Sequence, residues 1–165
     1  MTTICSFCNA VIRPGASPDE PVSHGVCESC KTKIYRDFRL EIRKFLDMLD
    51  TPVFLVDGNA DVLAANQKAI ALTGKPVSEI AGHVCGKVIA CINSHLPEGC
   101  GKTSDCPDCA IRSSVIETWN TGKPVNGRPA HVFRKFAQRE RKEEFLVPTR
   151  KDGNVVLLRL EPLVS

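Results

Sequence analysis

The chain has 165 residues, 42% hydrophobic and 25% charged, with a formal net charge of +3. That balance is the one found in soluble globular proteins, and the length allows one ordinary core with a small appended module. No run approaches the ~20 apolar residues that span a bilayer, and Met1-Thr2-Thr3-Ile4-Cys5 lacks the basic-then-apolar pattern of an export signal, so a cytoplasmic chain with reduced thiols is expected.

Residues 1–30 are rich in cysteine, proline and glycine and show little periodicity. They carry Cys5-x2-Cys8, an eighteen-residue gap, and Cys27-x2-Cys30. Two CxxC pairs place four thiolates where one tetrahedral ion can collect them, and zinc suits a closed set of four sulfurs. The expectation is a zinc knuckle held by Cys5, Cys8, Cys27 and Cys30, a metal staple that lets a short segment fold without a core. The segment resembles short zinc-knuckle modules near sensory domains of bacterial signalling proteins, where a Ser-His-Gly run, here Ser23-His24-Gly25, precedes the second pair. Four cysteines already satisfy zinc, so His24 is left a supporting or loop role.

Residues 31–50 change character. Ile34, Phe38, Ile42, Phe45, Leu46 and Leu49 recur at helical spacing, with Leu40 and Met48 off that stripe and Pro52 as terminator. This amphipathic linker helix packs either on its own sheet or on another chain.

Val53-Phe54-Leu55-Val56, the turn Asp57-Gly58-Asn59 and Asp61 to Ala65 read as a hairpin. Asn66 is a helix cap for Gln67 to Thr73, with Gly74 and Pro76 as stops and a further helical turn over Val77 to Ala81. A glycine-rich stretch with five cysteines follows. It opens into a helix expected to begin at Pro107, with Ile111, Val115 and Trp119 on one face and Gly122 and Pro124 at its end. His131 to Phe136, Phe145 to Arg150 and Val155 to Leu160 alternate like strands, the last two joined by the Lys151-Asp152-Gly153-Asn154 turn. Arg128 to Lys151 carries eight Lys/Arg against three Asp/Glu. Its mixed run Arg139-Glu140-Arg141-Lys142-Glu143-Glu144 reads as a solvated loop or strand end rather than a nucleic-acid face, which would want cleaner basic charge with aromatics.

In this order, Val53-Phe54-Leu55-Val56-Asp57, Val62-Leu63-Ala64-Ala65-Asn66, Leu72-Thr73-Gly74, Glu79-Ile80-Ala81-Gly82 and Thr121-Gly122-Lys123-Pro124 resemble a PAS domain. The resemblance implies an α+β fold for residues 51–165, with a five-stranded antiparallel sheet, helices over one face and a cysteine-rich insert at residues 82–109. It also implies sensing of a ligand or redox state, or dimerisation, with output through another module.

Within the insert, metal or cluster ligation is the leading reading; a thiol–disulfide switch and plain buried cysteines follow. Cys91, Cys100, Cys106 and Cys109 form the expected ligand set. Cys106 and Cys109 make a CxxC at a helix start, and Gly99 and Gly101 allow the tight backbone that donates to bound sulfur. The pattern resembles a cysteine-rich PAS variant of bacterial sensors, in which an isolated upstream cysteine precedes Gly-Cys-Gly and CxxC; there Cys85 is the extra thiol. Spacing does not separate a second zinc from a [4Fe–4S] cluster; the glycines and the sensory resemblance favour the cluster. No CxxC is followed by histidine, which excludes covalent c-type haem. Gly82-His83-Val84-Cys85 resembles the cysteine loop of flavin photosensors only weakly, since Val84 stands where asparagine is expected.

No Walker loop, Ser/His/Asp ordering or paired-carboxylate motif points to catalysis, and little chain follows the last expected strand. The expectation is a stand-alone sensory module that is not an enzyme. It would signal through a partner such as a kinase or regulator and form a homodimer through residues 31–50, with no membrane or nucleic-acid partner. The alternatives are a thiol–disulfide oxidoreductase at Cys106 and Cys109, or a nucleic-acid-binding zinc protein.

Overall fold

The structure, a computed structural model, describes residues 1–17, 19–136 and 139–163. The chain divides into two compact units, Met1–Lys44 and Phe45–Ser165, with the boundary inside one long helix.

The first unit has a small sheet in the order β2-β1-β3, from β1 (Thr2–Cys5), β2 (Val11–Arg13) and β3 (Val22–Gly25), followed by most of α1 (Glu28–Asp47). β1 pairs antiparallel with β2 and parallel with β3. This sheet was not expected from sequence, because its strands are three or four residues long and lack alternation. Among the described side chains of this unit few apolar ones are buried: Cys5 is covered, whereas Phe7, Val11, Ile12, Val22, Ile34, Phe38 and Leu40 are exposed. A unit that buries so little must be held by something other than a core.

α1 begins before Cys30 and stops at Asp47, short of Pro52. Of the apolar stripe, Leu46 is buried, Ile42 and Leu49 are half-buried, and Ile34, Phe38 and Phe45 face solvent.

The second unit is an antiparallel sheet in the order β5-β4-β8-β7-β6. Its strands are β4 (Val53–Val56), β5 (Val62–Ala65), β6 (Val125–Phe136), β7 (Arg139–Asp152) and β8 (Val155–Arg159). The five expected strands are all present, and a two-residue β9 (Glu161–Pro162) adds a sixth beside β7. β6 and β7 run longer than the alternation implied, reaching the Phe136–Arg139 pair, so of the two readings of the mixed-charge run the strand one holds. Residues 137 and 138 of the basic stretch lie outside the described residues. Gly127, at a φ of 106°, sits at the bulge in the β6–β7 register.

α2 (Gln67–Thr73), α3 (Cys85–Val88) and α4 (Ala110–Thr121) complete the unit. Phe54, Val56, Ile80, Val115, Phe145 and Leu158 form the centre of one apolar cluster between sheet and helices. Truncating either phenylalanine to alanine would cost about 3–5 kcal/mol. α4 starts at Ala110 with Cys109 as its cap, so Pro107 is not a first helical residue: the Cys106–Cys109 turn occupies it instead.

Asn66 shows how the elements lock together. Its Oδ1 accepts from Ala69 N–H at 2.9 Å, the expected cap, and from Val53 N–H at 3.0 Å. Its Nδ2 donates to the carbonyls of Leu46, Leu49 and Thr51 at 3.1, 3.3 and 2.8 Å. One fully buried amide thus ties the end of α1 to β4 and α2. The β4–β5 turn is pinned by Trp119, since a Cβ at Gly58 would lie 2.5 Å from its ring.

Candidate metal centres

The first candidate is built where β1, the following turn and the start of α1 meet. Cys5 N–H donates to Ala10 O and Asn9 N–H to Cys5 O, with Asn9 at a φ of 59°, so the chain folds back at once after Cys8. Ser6 N–H donates to Gly25 O, which brings the Cys27 end alongside. The sulfurs of Cys5, Cys8, Cys27 and Cys30 all lie within 4.8 Å of one another, and Cys8 and Cys27 are 3.6 Å apart. Four sulfurs bound to one zinc at 2.3 Å would stand about 3.8 Å apart, so the set is gathered at the scale of a single ion. All four are free thiols. The backbone N–H groups of Cys27 and Phe7 hold the Cys5 thiol down to about 6. Shared hydrogen bonds with Cys8 and Cys27 push Cys30 up to about 12. His24 is exposed on β3 and stands outside this group.

The second candidate is a cavity of about 320 Å³ lined by all five cysteines of the insert. Cys85 opens α3, Cys91 precedes a 3-10 turn at Ile92–His95, and Cys100 sits between Gly99 and Gly101, whose φ values are 76° and 88°. Cys106 and Cys109 bracket the turn before α4. A Cβ at Gly86 would collide with Cys100 Sγ, so the Gly-Cys-Gly loop rests directly on α3. Among the described residues the first cluster is the one gathered at the scale of an ion; these five thiols surround a volume instead.

The cavity thiols differ in character. Burial pushes Cys85, Cys91 and Cys100 up. Burial acts the same way on Cys106, but the Thr103 hydroxyl and backbone groups of Thr103, Gly101 and Lys102 outweigh it and leave that thiol below its ordinary value. The Thr103 hydroxyl lies 3.0 Å from Cys106 Sγ, and Gly101 N–H donates to the same sulfur at 3.1 Å.

Cys91 is fixed from the other side. Its backbone bridges Arg134 of β6, and Lys135 N–H donates to Ala90 O at 2.9 Å. Ala90 holds a φ of 58°, a left-handed conformation costly for a residue with a Cβ. Arg134 is buried and donates to the carbonyls of Ile89 and Leu72 at 2.7 and 2.8 Å and to Glu143 at 2.7 Å. Sequence reasoning missed both Arg134 and Thr103. An arginine in an alternating strand reads as solvent-facing, although the Thr103-x2-Cys106 spacing could have flagged the threonine.

His131 lines the cavity rim and pairs with Glu144 at 3.1 Å, while His95 is exposed.

Residues 40–84 match the family model described as the PAS fold. Among solved structures, the LOV protein of Rhodobacter sphaeroides aligns with a TM-score of 0.53 at 17% identity, over 77% of this chain and 68% of that one. The PAS domain of Bordetella pertussis BvgS aligns with a TM-score of 0.49 at 11% identity, over 78% and 88%. No curated protein matches the sequence. The chain therefore has a PAS-like α+β fold, and it carries a four-cysteine cluster near its N-terminus.

Proposed function

We propose that this chain is a cytoplasmic redox-sensing protein. Its PAS unit would hold a [4Fe–4S] cluster through Cys91, Cys100, Cys106 and Cys109, and its N-terminal unit a structural Zn²⁺ through Cys5, Cys8, Cys27 and Cys30. The observation that carries this reading is the convergence of thiols from separate segments on one cavity. The donor set is all cysteine sulfur, and the glycine loop brings Cys100 against α3 with no side chain intervening. When bound, such a cluster would supply one-electron chemistry whose charge change the surrounding protein can feel.

The chain's own residues carry the rest. Arg134 and Lys135 tie the Cys91 segment to β6, so a shift of that segment would be felt in the sheet. Asn66 ties the sheet to the end of α1. The exposed Ile34, Phe38 and Phe45 of α1 are apolar surface for a second copy or for a partner such as a kinase or regulator. Catalysis is no part of this reading.

The test is anaerobic purification of the full chain with metal analysis. Brown protein with about four iron atoms and one zinc per chain supports the reading. Colourless protein with two zinc ions overturns the cluster and leaves a doubly zinc-stapled protein.

A dithiol oxidoreductase at Cys106 and Cys109 draws on the lowered Cys106 thiol. Against it, Cys106 is 7% exposed, which denies a protein disulfide access. Insulin reduction by metal-free protein would revive that alternative.

A further inference from the structure

We propose that the Thr103 hydroxyl is a positioning donor that sets the reduction potential of the thiolate-bound centre. The proposal rests on the cluster reading of the cavity and deepens it.

Thr103 is buried, whereas Lys102, Ser104 and Asp105 beside it are exposed. A hydroxyl removed from water without a partner costs free energy, so a buried threonine in an exposed turn needs a bond that repays its position. That bond goes to Cys106 Sγ, 3.0 Å away. The residue is held in place independently, because Cys106 N–H donates to Thr103 O at 3.1 Å and closes the turn. Gly101 N–H supplies the second donor at 3.1 Å, from a loop with Arg112 close against it: a Cβ at Gly101 would lie 3.0 Å from the guanidinium. A ligating Cys106 has lost its proton and can only accept, so the Thr103 hydroxyl and Gly101 N–H then both donate to one of the four sulfurs. Among the described residues no other cavity sulfur has a hydroxyl donor.

One-electron reduction adds negative charge that spreads onto the ligand sulfurs, and no bond forms or breaks. A donor aimed at sulfur stabilises the more negative state more strongly, so it raises the potential. Donation by O–H to an ionised sulfur is a charge-assisted bond inside a buried setting, where it is worth more than in water.

The experiment is a mediated spectroelectrochemical titration of anaerobically purified full-length protein, comparing wild type with Thr103→Val and Thr103→Ser. Thr103→Val removes the hydroxyl at nearly constant shape and should lower the reduced-to-oxidised ratio at fixed potential about tenfold, a downward shift of about 59 mV for one electron. Thr103→Ser keeps the hydroxyl and should keep the wild-type value. Thr103→Ala, expected to shift like valine, serves if the valine variant does not load. Equal shifts in serine and valine variants, or none in either, overturn the proposal while the cluster stands. A wild-type protein without visible absorbance overturns the cluster reading and this proposal with it.

Discussion

The Arg134 guanidinium donates to the carbonyl of Ile89 at 2.7 Å, two residues before Cys91 in the chain. The same side chain reaches Leu72 O and Glu143, so a single buried cation joins the end of α2, the cysteine segment and β7. Replacing it with methionine keeps much of the volume but leaves a buried carbonyl, a half-buried one and a carboxylate without this donor. Arg134→Met should destabilise the second unit by about 3–5 kcal/mol in urea unfolding. Glu143→Gln keeps a hydrogen-bonding partner and should cost less. Equal stability of Arg134→Met and wild type would show that Arg134 is not holding the segment.

Metal affinity at the N-terminal cluster should rise with pH. Cys5, held at about 6, is thiolate at neutral pH, whereas Cys30, at about 12, keeps its proton until metal displaces it. Binding therefore releases protons, and lowering the pH opposes it. Acidification through about pH 6 protonates Cys5 as well, removing a thiolate already formed, so zinc release should steepen there. A chromophoric chelator titration between about pH 5 and 8 reads this directly. An affinity flat over that window would exclude a thiolate site.

The contact between Gly86 and Cys100 leaves no room for a side chain. Gly86→Ala must push the Gly99–Gly101 loop off α3, with a packing cost of about 1–3 kcal/mol. The expected outcome is a folded protein that loads the cavity centre poorly while its N-terminal zinc stays at full occupancy. Normal iron content in the alanine variant would place Cys100 outside the ligand set.

Phe38 is 63% exposed on α1, so changing it costs no core packing. Phe38→Glu should therefore leave the chain folded and dissociate a homodimer, as read by analytical ultracentrifugation. A wild-type chain that sediments as a monomer at high concentration would overturn the homodimer.

Much of this architecture could be read along the chain because its signals are local. The CxxC pairs, the Asn66 cap, the Gly74 stop and the Asp57-Gly58-Asn59 turn each depend on residues a few positions apart, and each stands where the spacing put it. Other features depend on what lies opposite, which spacing does not encode. The Arg139 to Glu144 run reads as loop or strand end by composition and is strand throughout because residues 131–136 pair with it one for one. Pro107 looks like a helix start, yet the turn closed by Cys109 N–H on Cys106 O takes it instead. Arg134 looks solvated and is buried because Ile89, forty-five positions away, and Leu72, sixty-two positions away, present their carbonyls to it. Cysteine identity and spacing marked out two groups of thiols; only folding decided that one set of sulfurs closes to the scale of an ion while the other lines a cavity. The reason is that hydrogen bonds and packing are satisfied in space, by partners the chain brings together only when it is folded.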